Sequence, residues 1–216
     1  MVRQARSEAT RRKIIDSAVD LFAEIGYAAT GLGDIIERTG LTKGALYYHF
    51  DSKESLATAI IEEGSANLVN TFRSITDSSG PALEGMIHGL FVLADLLSTD
   101  NVARSATHLL RAFSEFNEAA VRTFGGWQDE MTTRARQASE EGDLRADLDP
   151  VAVGETIMAA MMGTELLSNA TSRDADLLRR MTNTWEILLP GIVSDESLPY
   201  FREFLAREAL RHDPTQ

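Results

Sequence analysis

Proline is absent from the first eighty residues, and this absence is the feature that most constrains how the chain can fold. All five prolines lie at or beyond Pro81. A proline inside a helix removes a backbone hydrogen bond and clashes with the preceding turn, so the N-terminal part is free to be helical. Apolar residues recur there at helical spacing, namely Ile14, Ile15, Ala18, Leu21, Phe22 and Ile25. The pattern predicts an amphipathic helix that ends at Gly26.

A short helix and a glycine turn are predicted after Gly26. Thr30 precedes three apolar residues at helical spacing, which are Leu32, Ile35 and Ile36. Gly40 follows directly after Thr39, and a glycine at this place can end a helix because it adopts the left-handed backbone conformation without strain.

The next stretch, Leu41 to Phe50, reads LTKGALYYHF and suits a phosphate-lined groove better than a hydrophobic core. It predicts a second short helix, with Thr42 as its cap and Leu46 on its buried side. Two short helices joined by a turn containing glycine form a helix-turn-helix arrangement. In that arrangement the second helix enters the major groove of DNA.

Side-chain reach assigns DNA-contacting roles around this second helix. Thr42 and the amides beside it suit a phosphate, and Lys43 can reach a base edge or a phosphate. Tyr48 and Phe50 are assigned instead to packing of the small domain. The predicted DNA-contacting residues are Thr30, Thr42, Lys43, Gly44, Ala45, Tyr47, His49 and Lys53.

The charge distribution limits where DNA can bind. The net charge of −12 argues against a nucleic-acid binder when it is taken alone. Residues 1–55, however, hold 8 basic and 8 acidic side chains, so the whole acidic excess lies beyond them. An acidic body repels DNA, and only the N-terminal end is therefore expected to face it. Four cations of the first helix suit phosphate contacts or a solvated face about equally well: Arg6, Arg11, Arg12 and Lys13.

The block from Ile14 to Leu56 resembles the DNA-binding domain of the TetR family of transcriptional repressors. The run GYAATGLGDIIERTGLTKGALYYHFDSKESL carries the resemblance, with Gly40, the Thr42-Lys43-Gly44 step and the His49-Phe50 pair in place. The resemblance implies an all-α fold with an N-terminal three-helix helix-turn-helix DNA-binding domain over residues 1–52. It also implies a larger C-terminal helical ligand-binding and dimerisation domain over residues 53–216. The implied partners are a double-stranded DNA operator, a second copy of the chain and a small ligand.

Helical patterns continue to the C-terminus, and nothing in the sequence suggests a strand. Three of the predicted helices have only a start, at Ser52, Pro81 and Pro150. The other four run from Val102 to Phe116, from Phe124 to Ala138, from about Asp174 to the residue before Pro190, and from Ser197 to Arg211. The helix after Pro150 is apolar nearly all round, so it is expected to be buried on two sides.

The resemblance implies that the helices around Ile157 and Met181 form a four-helix dimer interface. The predicted interface residues are Ile157, Met161, Met181 and Trp185. Ala159 and Gly163, four residues apart, would let another helix approach closely.

The middle of the chain is similar to the γ-butyrolactone receptor branch of the TetR regulators, through VARSATHLLRAF, FGGW and EILLPGIV. In those receptors a tryptophan on the helix that here holds Trp127 lines the ligand pocket, and only this residue is carried over. The further predicted pocket residues are Met86, Leu90, Leu110, Phe113, Met131, Met158 and Met162. Methionine adapts to apolar ligands, although each of these seven also fits a core position. His88 and His108 suit a ligand carbonyl or a structural hydrogen bond.

Catalytic, cofactor and metal sites are not predicted. The chain has no cysteine and four histidines, none of which lies four residues from another. Phosphate-binding, dinucleotide-binding and nucleophile-elbow motifs are lacking too. Because the chain has no apolar run typical of a signal peptide or a membrane span, a cytoplasmic location without a membrane partner is expected.

The predicted function is a repressor that binds a palindromic operator as a dimer and is released by a small apolar molecule, for example a γ-butyrolactone-like signal. Three alternatives remain open. They are a sensor of drugs or other lipophiles, a ligand-independent regulator or activator, and an acidic helical interaction protein with a vestigial DNA-binding head.

Overall fold

A computed structural model describes residues 2–78, 80–113, 117–172 and 174–212. This part of the chain contains ten α helices and no named strand, and a single β-bridge pairs Leu144 with Val193. The helices are α1 Val2–Ile25, α2 Leu32–Thr39, α3 Lys43–His49, α4 Lys53–Thr76, α5 Ala82–Thr99, α6 Asn101–Phe113, α7 Glu118–Glu140, α8 Pro150–Ser172, α9 Leu177–Ile192 and α10 Leu198–Arg211. The predicted all-α class is confirmed.

The chain divides into two compact units. Unit 1 is Met1–Asn67 with Thr99–Thr123, and unit 2 is Leu68–Ser98 with Phe124–Gln216. Helix α4 begins in unit 1 and ends in unit 2. The functional boundary predicted between residues 52 and 53 falls at the first residue of α4, and it stays a prediction.

In unit 1, α1 buries the predicted apolar face. Ile14, Ile15 and Ala18 are fully buried, and α1 packs against α2 and α6. Ile25 was expected on the same face, but about half of its side chain is exposed. Its assignment was wrong because Ile25 is the last residue of α1, where Gly26 turns the chain with a φ of +85°.

Two predicted helix boundaries differ from those observed. Helix α7 begins at Glu118 rather than at Phe124. Helix α9 was expected to stop before Pro190, but it continues to Ile192 with the proline in its last turn. Pro190 has no N–H, so a carbonyl oxygen of the preceding turn lacks its helical hydrogen bond. Because Pro190 is exposed, water can donate to that oxygen instead. Helix α6 ends at Phe113, and the predicted end at Phe116 lies outside the described residues.

Unit 2 is built on close packing of α7, α8, α9 and α10. A methyl group on Gly154 of α8 would lie 2.9 Å from the backbone of Met131 in α7, so this glycine lets the two helices approach. Trp185 of α9 and Phe201 of α10 are almost completely buried. The core of this unit therefore lies on the inner faces of these helices.

Two helices, α5 and α8, are long and apolar enough to cross a membrane by length and composition alone. Core helices of water-soluble proteins also meet that criterion. In α5, apolar residues such as Leu83, Met86 and Phe91 are buried within the protein, which accounts for the apolar composition of that helix.

Candidate functional site

Helices α2 and α3 form the predicted helix-turn-helix. Gly31 is the N-cap of α2, and its N–H donates to Asp34 Oδ2 at 2.7 Å. Gly40 ends α2 with a φ of +64°, as expected of a glycine in the left-handed conformation. Thr42 caps α3, because its Oγ1 accepts a hydrogen bond from the Ala45 N–H at 3.2 Å.

Leu46 and Phe50 hold α3 against the rest of unit 1, and both are buried. Leu46 lies on the inner face of α3 and Phe50 follows directly after the helix, so the opposite face of α3 is left in solvent. Thr42, Lys43, Gly44 and Tyr47 lie on the exposed side. The Lys43 ammonium lies 5.6 Å from the ring centroid of Tyr47, one helical turn away.

Tyr48 was assigned to packing, and this assignment was wrong. Its side chain is 77% exposed. Tyr48 follows Leu46 by two positions, which is more than half a turn of an α helix, so it points away from the buried face. Phe50, assigned to packing together with Tyr48, is buried as expected.

A groove separates the N-terminal part of α1 from α3. It has a volume of about 690 Å³ and is lined by Gln4, Arg6, Ser7, Thr10, Ala45, Tyr48 and His49. Arg6 makes no ion pair with another described residue, so its guanidinium is available to an anion in this groove. The sequence did not assign Gln4, Ser7 or Thr10, since only the packing of α1 beside α3 brings them to this surface.

Thr30 and Lys53 do not line this groove. Thr30 is 1% exposed and its Oγ1 donates to the Gly26 carbonyl at 2.9 Å. The Lys53 ammonium donates to the carbonyl oxygens of Tyr27 and Thr30, both at 2.8 Å, and lies 4.3 Å from the Tyr27 ring centroid. Burial, together with the charge of Glu54, raises the pKa of Tyr27. The predicted DNA contact of Thr30 is therefore corrected to a structural role in the turn before α2. Lys53 holds the same turn and is partly exposed, so its DNA contact stays a prediction.

The cations of α1 fall into two groups. Arg11 and Arg12 both pair with Glu63 of α4, and the Arg11 contact measures 3.2 Å. These two arginines tie α1 to α4. Arg6 and Lys13 make no ion pair with another described residue and remain candidates for phosphate contact.

The predicted pocket residues are divided between the two units. Leu110 and Phe113 belong to unit 1, where the Phe113 ring lies 4.8 Å from the ring of Tyr27. Six belong to unit 2, namely Met86, Leu90, Trp127, Met131, Met158 and Met162. Met86 and Met131 are buried, whereas Leu90, Met158 and Met162 are partly exposed.

Trp127 of α7 contacts the end of α4. Its ring lies 5.6 Å from that of Phe72 in an edge-to-face arrangement. Phe72 is fully buried, and a methyl group on Gly89 of α5 would lie 2.8 Å from its ring. A group that pushes Trp127 toward α4 would therefore press on Phe72, which has no free space on the side of Gly89.

A charged network lies close to this contact. Arg134 of α7 is almost buried; it donates to Glu130 at 2.9 Å and to Asp77, just beyond α4, at 2.6 Å. Burial alone would lower the pKa of Arg134, but its hydrogen bonds with Asp77 and Glu130 raise it. Arg73 also donates to Glu130, at 2.8 Å. The end of α4 is thus fixed to α7 by ion pairs as well as by aromatic packing.

The predicted dimer residues are interior residues of a single chain. Ile157 and Trp185 are fully buried, and Met161 and Met181 are nearly so. They were wrongly placed because the sequence shows which positions of a helix are apolar but not which of its two apolar faces lies inside the protomer. Their packing is between α8 and α9 of the same chain.

The outward side of α8 and α9 carries a mostly apolar surface of small and large side chains. This α8–α9 surface consists of Ala152, Thr156, Ala159, Gly163, Leu166 and Leu167 on α8, and Ile187, Pro190 and Gly191 on α9. Ile187 is 79% exposed, and a methyl group on Gly163 or Gly191 would have nothing within 4 Å. Ala152, Thr156, Ile187 and Gly191 share a groove of about 230 Å³.

Comparison with protein families divides the chain in two. Residues 14–60 match the profile of bacterial regulatory proteins of the tetR family. Residues 80–194 match that of the tetracyclin repressor-like C-terminal domain.

Individual relatives agree with these profiles over most of the chain. The A-factor receptor protein of Streptomyces griseus is 31% identical over 192 residues, which is 89% of this chain and 67% of the relative. A solved structure of a γ-butyrolactone receptor (ArpA-like protein) has a TM-score of 0.79 at 31% identity, covering 95% of this chain and 99% of that one. A structure of CprB from Streptomyces coelicolor in complex with its biological operator sequence has a TM-score of 0.78 at 30% identity, with the same coverage.

Proposed function

The chain belongs to the tetR family of bacterial regulatory proteins and is a ligand-responsive, DNA-binding transcriptional repressor; on this premise we propose the residues through which it binds its operator and its ligand class. We propose that α3 contacts DNA through Thr42, Lys43, Gly44, Ala45, Tyr47, Tyr48 and His49, and that Arg6 of α1 adds a phosphate contact.

The observation that carries this proposal is that two exposed cations, neither ion-paired with another described residue, each lie beside an exposed tyrosine. Lys43 lies over Tyr47, and Arg6 and Tyr48 line the same groove. Lysine and arginine bind phosphates by charge, and a tyrosine hydroxyl can donate to a phosphate oxygen. Lys53, Arg11 and Arg12 are already engaged with protein groups, so the proposal leaves them out.

For the ligand, we propose a small apolar molecule of the γ-butyrolactone type that binds beside Trp127. Two relatives named above are receptors of the A-factor or of γ-butyrolactones. Trp127 and Met131 lie one turn apart on α7, and Trp127 contacts Phe72 of α4. A flat, adaptable apolar surface of this kind suits a lactone with an alkyl chain.

We propose that α4 transmits the displacement caused by the ligand and so leads to release of DNA. This helix is continuous from Lys53, which contacts the turn before α2, to Thr76, one turn beyond Phe72. A rigid helix moves as a body, so a shift of Phe72 would be felt at its N-terminal end. The ligand must bind the form with low DNA affinity more tightly, because equal affinity for both forms would shift no population.

We further propose that two chains pair through the α8–α9 surface and that the protein acts in the cytoplasm by binding alone, without catalysis. The exposed Ile187 and the open Gly163 would let helices of a second chain approach closely. A symmetric dimer would present two α3 helices to a palindromic operator.

Fluorescence anisotropy with DNA from upstream of the protein's own gene tests the DNA surface. Lys43→Ala should weaken binding and lower the slope of log affinity against log salt concentration by about 1. The matched control is Arg207→Ala, which removes an exposed cation from α10 and should leave both quantities unchanged. Equal effects of the two variants would remove Lys43 from the site, and no salt-sensitive binding of the unmodified protein would overturn the proposal.

Tryptophan fluorescence tests the ligand site, because the chain has only two tryptophans. In a Trp185→Phe background the signal comes from Trp127, and γ-butyrolactones should change it at the concentrations that release DNA. A lactone that releases DNA without changing this fluorescence would place the site elsewhere. If only lipophiles other than lactones act, the ligand class would be wrong although the site would stand.

A further inference from the structure

His88, Glu208 and His212 meet where α5 packs against the end of α10. His88 Nδ1 lies 2.7 Å from Glu208 Oε2, and His212 Nε2 lies 3.6 Å from the same oxygen. One donor atom from each of the three side chains lies within 4.8 Å of the other two. We propose that these residues form a binding site for a divalent transition-metal ion, with Zn²⁺ as the best-fitting ion.

The distances suit such an ion. With metal–ligand bonds of the length seen for zinc, two donors of a tetrahedral site lie about 3.4 Å apart. The 3.6 Å between His212 Nε2 and Glu208 Oε2 is close to that value, and the 2.7 Å hydrogen bond between His88 Nδ1 and Glu208 Oε2 would lengthen by about 0.7 Å to admit the ion. His212 is the C-cap of α10, and it follows Glu208 by four residues, about one helical turn, so the two side chains face the same way and only small side-chain rotations are needed to admit the ion.

His212 provides the independent sign of a ligand. Its side chain is 9% exposed, and its Nε2 has no hydrogen-bond partner among the described residues. Its other nitrogen, Nδ1, is held by the Asp95 carboxylate. A carboxylate that accepts from one imidazole nitrogen leaves a lone pair on the other, and metal-binding histidines are commonly oriented in this way. A buried, oriented and unpartnered nitrogen is what a metal ligand requires.

The charges around the cluster also favour a dication. Glu208 is 1% exposed and pairs through its other oxygen, Oε1, with Arg211 at 2.6 Å. Asp95 contacts His212, and Glu84 lines the same groove as His88 and Glu208. Three carboxylates and one guanidinium leave a formal charge of −2 when both histidines are neutral, and a divalent ion balances it. Only Glu208 is buried among these carboxylates, and because Arg211 pairs with its Oε1, its Oε2 is the oxygen that faces the two histidines.

An ion can reach the site through a groove of about 260 Å³. His88, Glu208, Glu84, Phe204 and Arg211 are among the residues that line it. Water from this groove can fill the fourth position of a tetrahedral site. Two imidazoles and one carboxylate favour zinc or a similar transition metal over Mg²⁺ and Ca²⁺, which prefer oxygen donors alone. The ion would clamp the end of α10 to α5 within unit 2.

The test is metal binding by the full-length chain without an affinity tag. Calorimetric titration should give one Zn²⁺ per chain, Co²⁺ should give the visible absorption of a tetrahedral ion, and Mg²⁺ should give neither. His88→Asn and His212→Asn should abolish both signals. His49→Asn is the matched control for metal binding, because His49 lies in α3 of unit 1. This variant should bind Zn²⁺ and Co²⁺ like the unmodified protein. Asp95→Asn, which removes only the orienting carboxylate, should weaken binding by about 10- to 100-fold.

His88 is partly exposed, so its variant should stay folded, which circular dichroism checks. A folded His88→Asn protein that binds Zn²⁺ as tightly as His49→Asn would overturn the proposal. Failure of the unmodified protein to bind Zn²⁺ more tightly than the His212→Asn variant would overturn it as well. These readouts use neither DNA nor lactone, so their outcome tests the metal site independently of the proposed DNA and ligand sites.

Discussion

Gly64 of α4 packs so closely against Ala106 of α6 that a methyl group on Gly64 would overlap the Ala106 side chain. The same methyl group would lie 2.9 Å from the carbonyl oxygen of Val102. Neither neighbour can rotate away, because one is a Cβ atom fixed to its backbone and the other is backbone. Gly64 therefore sets the distance between two helices of unit 1.

We expect Gly64→Ala to destabilise the protein by about 1–3 kcal/mol through overpacking, despite the better helix propensity of alanine. Gly125→Ala in α7 is the control, because a methyl group there meets nothing within 4 Å. That variant should be unchanged or more stable by up to about 1 kcal/mol. Urea unfolding of both proteins measures the difference. A Gly64→Ala protein as stable as the control would mean that α4 and α6 can separate freely.

Two lysines that look alike in the sequence should behave in opposite ways. Lys53→Met removes the donor to the Tyr27 and Thr30 carbonyls, and should cost about 1–3 kcal/mol of stability because those acceptors are partly buried. Lys43→Met should leave stability within about 0.5 kcal/mol, since Lys43 is exposed, and should weaken DNA binding. Chemical denaturation and anisotropy titration on both variants separate the roles. A stable Lys53→Met protein with a reduced salt slope would restore Lys53 to the DNA surface.

The fold was predictable from sequence because its signals are local. Helical spacing of apolar residues and the glycines at positions 26 and 40 act within a few residues, so α1, α2 and α3 were predicted in their correct order. The end of α9 was predicted too early, because Pro190 lies exposed in the last turn, where water can replace the hydrogen bond that proline removes.

The residues of the sites were harder to predict, since their roles depend on distant packing. Lys53 and Tyr27 are far enough apart in sequence that no spacing rule connects them, yet their contact decides what Lys53 does. His88 and Glu208 are 120 residues apart, so no spacing rule for histidines in the sequence connects them. The two apolar faces of α8 are equivalent in sequence, and only the position of α9 shows that Ile157 lies inside.

Tyr48 and Phe50 are also separated by the structure. Phe50→Ala should cost about 3–5 kcal/mol because it empties a buried site. Tyr48→Ala should change stability by no more than about 0.5 kcal/mol, because the side chain is exposed, and should reduce operator affinity. Thermal unfolding and anisotropy titration give the two quantities. A clear loss of stability in the Tyr48→Ala protein would instead show that the Tyr48 side chain packs in the core.

Ile187→Glu should convert the dimer to a folded monomer. The side chain is exposed on the α8–α9 surface, so a charge there costs the single chain little, whereas in an apolar interface it would be buried without a partner. Ile25→Glu places the same charge on the exposed end of α1 in unit 1, and should leave the dimer intact. Sedimentation equilibrium measures the molecular mass of each variant. A dimeric Ile187→Glu protein would show that the chains pair elsewhere.

Asp176, which precedes α9, should make stability depend on pH in the acid range. Its carboxylate accepts hydrogen bonds from Arg180 at 2.7 Å, Ser172 at 2.6 Å and Ser168 at 2.7 Å. These bonds hold the pKa of Asp176 well below its usual range, and the bond from Arg180 lowers it most. A lowered pKa in the folded state means that the stabilisation is complete above the pKa of the unfolded chain, about 4, and is lost as the pH falls toward the folded value. Asp176→Asn should therefore lower the melting temperature at pH 7, and the difference from the unmodified protein should shrink steadily below pH 4. If the difference stays constant down to pH 3, the ionised carboxylate is not what joins α8 to α9.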